Sequence, residues 1–114
     1  MKPGPDAVYY CNMEALTPQQ RLRHRELAIL LRPLVSEFRE LDDGFSAVIH
    51  STNDLGLYIE EFMALEQLCC PFFNLSYDKI TESKAGAVLT ITGPGDIKPF
   101  IRSEFGITEN EILP

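Results

Sequence analysis

Apolar residues recur at helical spacing through Leu27, Leu30, Leu31, Leu34, Val35 and Phe38. Ahead of them stands Thr17-Pro18-Gln19-Gln20, a helix start with Thr as N-cap, Pro in the first position and Gln completing a capping box. The pattern predicts a helix from there to about Leu41. Pro33 lies inside it, lacks an N–H and crowds the carbonyl of Ile29, so a kink or break is expected there. Asp42-Asp43-Gly44 reads as a turn. Phe45, Ala47 and Ile49 then alternate with Ser46, Val48 and His50, the period of a strand. Ser51-Thr52-Asn53-Asp54 offers N-caps for a second helix. That helix carries Leu55, Ile59, Phe62, Met63, Glu66, Cys69 and Cys70 on one side and is stopped by Pro71.

Beyond Pro71, Phe73, Leu75 and Tyr77 form one alternating run and Ala87, Leu89 and Ile91 another, with Glu82–Gly86 as the hairpin loop between them. Gly93-Pro94-Gly95 is a turn, and Asp96 is the expected N-cap of a last helix holding Ile97, Phe100, Ile101 and Phe105. At the other end, residues 1–6 read as a loose tail and Ala7–Cys11 as a first strand. The order β-α-β-α-β-β-α predicts an α+β two-layer sandwich, with helices on one face of a mainly antiparallel sheet. Residues 7–114 are expected to form one domain, as suits a chain of 114 residues.

Charge narrows the functional classes. Ten Lys and Arg against 17 Asp and Glu leave a net charge of −7. Such a balance argues against nucleic acid and anionic membranes, whose binding depends on Lys and Arg. Arg21, Arg23, Arg25 and Arg32 read as a solvated helix face paired with Glu26 and Glu37. Gly93-Pro94-Gly95-Asp96 is too short for a phosphate loop, and no nucleotide or flavin signal is present. The N-terminus has no apolar signal core and no apolar run approaches membrane-span length, so a soluble, cytoplasmic protein is expected.

The chemistry concentrates in Ala64-Leu65-Glu66-Gln67-Leu68-Cys69-Cys70-Pro71-Phe72. Residues three and four apart are neighbours on a helix, so Glu66 lies beside both Cys69 and Cys70. It also continues the stripe of Ile59 and Phe62, which places a carboxylate on the buried face. A buried Glu is costly unless paired, protonated or bound to a metal, and burial raises its pKa. The negative end of the helix disfavours a thiolate there unless a cation is present. The simpler reading keeps the cysteines as core residues. Adjacent residues also point about 100° apart on a helix, which hinders their joint use on one ion. Cys11 approaches the pair only if the first strand runs beside the end of the second helix. His24, three before Leu27 and seven before Leu31, is either a half-buried helix histidine or a ligand or acid–base group. His50 belongs on a solvated face. Three cysteines without a secretion signal do not suggest a disulfide scaffold, so reduced thiols are expected.

The strings Cys11-Asn12-Met13-Glu14-Ala15-Leu16-Thr17, Arg23-His24, Glu66-x-x-Cys69-Cys70-Pro71-Phe72 and Leu89-x-Ile91-Thr92-Gly93-Pro94 occur in that order. In them the chain resembles a group of small bacterial proteins for which no activity is established. The resemblance implies that Cys11, His24, Glu66, Cys69 and Cys70 belong together. Thiolates, an imidazole and a carboxylate suit zinc or a more thiophilic ion such as mercury or copper(I). Three functional readings stay open: a metal- or thiol-binding protein, a thiol-dependent redox or metal-detoxifying enzyme, and a homodimeric interaction module with structural cysteines.

Overall fold

The computed structural model describes residues 11–80 and 85–113. The expected tail and most of the expected first strand lie outside them, as does part of the hairpin loop. Cys11 itself is in no strand. Helix α1, Pro18–Leu31, opens with the expected capping box: Thr17 Oγ1 accepts from the Gln20 N–H and Gln20 Oε1 from the Thr17 N–H. The helix does not continue to Leu41. A 3-10 turn at Arg32–Leu34 carries Pro33, and Val35–Leu41 is strand β1. Pro33 removes the helical donor, and β1 then pairs antiparallel with β2, Gly44–His50, with Phe38 opposite Ala47 and Leu41 opposite Gly44. At Gly44 a Cβ would stand 1.9 Å from the Ile91 carbonyl oxygen, so only glycine fits this close approach.

Helix α2 spans Leu55–Cys69, within the expected limits, although Asp54 before it is left-handed and its side chain makes no cap. Strands β3, Asn74–Lys79, and β4, Ala85–Thr92, follow. Helix α3, Lys98–Glu104, starts after Ile97, not Asp96; Asp96 is exposed and caps nothing, because the helix begins around Pro99, which needs no partner for an N–H. The helix ends in a Schellman turn, with Gly106 at φ +61° and Ile107 N–H bonded to the Arg102 carbonyl. A short strand unforeseen in the sequence, β5, Ile112–Leu113, pairs parallel with β1.

The sheet order is β3-β4-β2-β1-β5, antiparallel except at β5, so the protein is α+β with a mostly antiparallel sheet. Phe45 opposite Ile91, Ala47 opposite Leu89 and Ile49 opposite Ala87 give the two central strands one apolar face. That face joins Leu27 and Leu31 of α1, Ile59 and Phe62 of α2 and Ile101 of α3 in a single core. Among the described residues, no helix is long and apolar enough to cross a membrane.

Candidate metal centre

The centre forms where the buried stripe of α2 reaches its C-terminus. Ile59, Phe62, Glu66 and Cys69 succeed one another at steps of three and four, and all are buried; Glu66 is only 1% exposed. Cys70 closes the helix, its N–H donating to the Glu66 carbonyl at 2.7 Å, but its own backbone turns away at φ −130°, ψ 67°. Pro71 requires that departure. The result overcomes the divergence expected of adjacent helical residues: Cys69 Sγ and Cys70 Sγ lie 3.7 Å apart.

Cys11 joins from the chain ahead of α1. The Asn12 N–H donates to the Cys69 carbonyl at 2.8 Å, laying this segment along the helix end. Cys11 and Cys70 form a disulfide with their Cα atoms 4.7 Å apart. This corrects the expectation of three reduced thiols. Compartment arguments concern which oxidation state persists, whereas the tether at Asn12 places the two residues at bonding distance. Cys69 is the free thiol. It donates weakly to the Glu66 carbonyl, and burial, reinforced by the negative charges of Glu66 and Glu104, pushes its pKa up to about 11.

One donor atom each from Cys11, Glu66, Cys69 and Cys70 falls within 4.8 Å of all the others. Four of the five residues singled out in the sequence thus converge. The fifth, His24, stands behind Glu66: its Nε2 lies 2.6 Å from Glu66 Oε1, and its ring stacks on Phe62 with centroids 5.3 Å apart. His24 therefore orients the carboxylate instead of joining the donor group. Glu66 Oε2 is buried and has no hydrogen-bond partner among the described residues. His50 is exposed.

Glu104 of α3 was missed. Its Oε2 lies 3.4 Å from Cys11 Sγ, and burial, then the charge of Glu66, raises its pKa. Its position three after Ile101 and four after Phe100 put it on the apolar stripe of the last helix, a signal that was present in the spacing. Arg21, Arg23, Arg32 and Arg39 are committed elsewhere. Arg23 forms a fork with Glu61 and a longer pair with Glu26, and Arg39 holds Glu37.

The donor set fits a thiophilic cation. Thiolates with one carboxylate suit zinc and softer ions, and an unpartnered buried carboxylate oxygen is the kind of atom that a cation or proton satisfies. The disulfide, however, ties up two of the three sulfurs. Compared with protein-family models, with curated proteins and with solved structures, the chain matches none.

Proposed function

We propose that the protein binds a soft metal ion on Cys11, Cys69 and Cys70, with Glu66 as the oxygen donor, once its disulfide is reduced. The observation that carries this reading is the convergence of these four donors within 4.8 Å from two segments far apart in the chain. Two electrons and two protons from a dithiol reductant open the Cys11–Cys70 bond and leave three thiols. Each thiol that ligates the ion then gives its proton to solvent. The high pKa of Cys69 belongs to the metal-free protein, where its neighbours are carboxylates. A cation at the same place reverses that field and favours the thiolate. His24 keeps one Glu66 oxygen occupied and the carboxylate oriented, in the manner of an outer-shell partner.

The disulfide beside a third sulfur also suits thiol–disulfide exchange, in which the Cys69 thiolate attacks Cys70 Sγ, the Cys11–Cys70 bond breaks and Cys11 leaves as a thiolate. A pKa of about 11 opposes it, since roughly one Cys69 in 10,000 is then a thiolate at pH 7.

The test is an anaerobic titration of the reduced and of the oxidised protein with mercury(II) and with zinc, following thiolate-to-metal absorbance. One equivalent is expected to bind the reduced form against a competing small thiol, and none the oxidised form. Cys69→Ser and Glu66→Gln should each weaken binding by roughly tenfold or more, as loss of a ligand does. Equal binding by both redox forms, or variants that hold the ion as the parent does, overturns the proposal.

A further inference from the structure

An apolar cleft of about 590 Å³ opens between α1 and the sheet. Its walls include Leu31, Phe38, Ile49, Phe62, Leu89 and Ile91. Protein interiors are otherwise close-packed, and this volume falls within the range of small-molecule sites. Four polar side chains reach the cleft, and they are unevenly employed. Arg32 is spent: its Nη2 donates to both Glu111 carboxyl oxygens, at 2.7 and 2.9 Å, and the guanidinium also donates to the carbonyls of Phe105 and Gly106. Of the other three, Glu66 and Glu104 reach the sulfur cluster, and His24 reaches Glu66. Glu66 belongs to the four-donor group, His24 holds it, and Glu104 touches Cys11 Sγ. The cleft and the metal centre thus share a wall built of two carboxylates and an imidazole.

That adjacency bears on the ligand. Apolar walls do nothing for a hydrated inorganic ion. They favour a ligand that carries hydrocarbon as well as metal. The cleft offers no uncommitted cation to hold an anionic group, while its carboxylates suit a positive one. We infer that the natural ligand is an organometal cation, R–M⁺, in which one carbon is bound to a thiophilic metal such as mercury, with the metal on the reduced cysteines and R in the cleft. This rests on the metal-binding reading above and names the substrate class of that site. On binding, a sulfur–metal bond forms, the thiol proton goes to solvent and the ion's previous ligand, a chloride or hydroxide, leaves. The metal–carbon bond stays intact and nothing is oxidised or reduced.

The test titrates the reduced protein with mercury(II), methylmercury and phenylmercury, each against the same competing small thiol. A second series uses Ala28→Trp, which fills the cleft from α1, with circular dichroism as a check on its fold. The expected result is that phenylmercury binds roughly tenfold or more tightly than methylmercury after correction for their affinities for the competitor. Ala28→Trp should erase that preference while leaving mercury(II) affinity within about twofold, since the ion alone does not enter the cleft. The methyl-to-phenyl comparison stands by itself should the variant not fold. Mercury(II) binding at one equivalent with no preference for phenyl overturns this inference and leaves the metal centre intact. Failure of all three to bind overturns both.

Discussion

Two polar assemblies border the same cleft, one at the C-terminus of α1 and one at its middle, and they are built on opposite terms. Near its C-terminus, Arg32 grips Glu111 and two carbonyls across the end of α3, with both side chains about a third exposed. The Arg32 hydrogen bonds hold the Glu111 carboxyl below the usual range, and Thr108 adds to the effect. About two turns earlier, at mid-helix, His24 meets Glu66, whose side chain is 1% exposed and whose second oxygen has no partner among the described residues. The first assembly is saturated and closes the chain end onto the sheet. The second leaves a buried acceptor without a partner among the described residues and one thiol free beside a disulfide. A group that serves only the fold is satisfied by the fold, while one that awaits a ligand stays incomplete without it.

The largest expected effect comes from the covalent link in the incomplete assembly. Cys11 and Cys70 are 59 residues apart, so opening the bond releases roughly 4 kcal/mol of chain entropy to the unfolded state. Reduction, or the Cys11→Ser/Cys70→Ser pair, should lower the melting temperature by more than about 10 °C. Adding mercury(II) should restore it to the reduced parent and not to the double variant.

The saturated assembly should respond next. Arg32→Ala removes a charge-assisted pair and leaves carbonyls without this donor, at a cost of about 1–2 kcal/mol in chemical denaturation. Glu66→Met tests the contrast directly. It replaces an incompletely satisfied buried carboxylate with an apolar side chain of similar size, and should leave the metal-free protein as stable as the parent or about 1 kcal/mol more stable. It should also weaken metal binding by roughly tenfold or more, as Glu66→Gln should. A large destabilisation by Glu66→Met would make Glu66 a structural group like Glu111 and erase the distinction.

Titration acts with opposite signs in the two assemblies. Cys69 holds its proton more tightly when folded, its pKa moving from 9.0 to about 11. The unfolded chain therefore loses that proton first, and stability falls as pH rises from 9 to 11. Cys69→Ser should flatten that part of the curve. Glu111, with its pKa lowered when folded, contributes stability above its unfolded pKa that is lost as pH falls through its folded value. Glu111→Gln should flatten the acid limb instead.

The start of α1 and the stop of α2 were the most legible features. Thr17-Pro18 and Pro71 act through the local backbone, and both mark true boundaries. The stripe on α2 placed Glu66 beside two cysteines on a buried face before any fold was known. The segment Val35–Leu41 was not legible, because Leu34 and Phe38 satisfy a helix as well as a strand can. Pairing with β2 made the choice, and pairing partners are not written locally. For the same reason β5 went unseen: two residues carry no period, and only the neighbouring β1 makes them a strand.

What the chain by itself determined is therefore local: where α1 begins and α2 ends, which faces are apolar, and that a carboxylate and two thiols share the end of one helix. Spacing along a single element is enough for these, since the element's own geometry sets who neighbours whom. Tertiary structure alone decided the rest. The turn at Cys70 aligned the two adjacent sulfurs, the Asn12 bond to the Cys69 carbonyl brought Cys11 to them, and the packing of α1 and α3 set His24 and Glu104 around Glu66. A site assembled from three helices and a preceding loop depends on distances between elements, and those are set by the shared core, in which every part of the chain takes part at once.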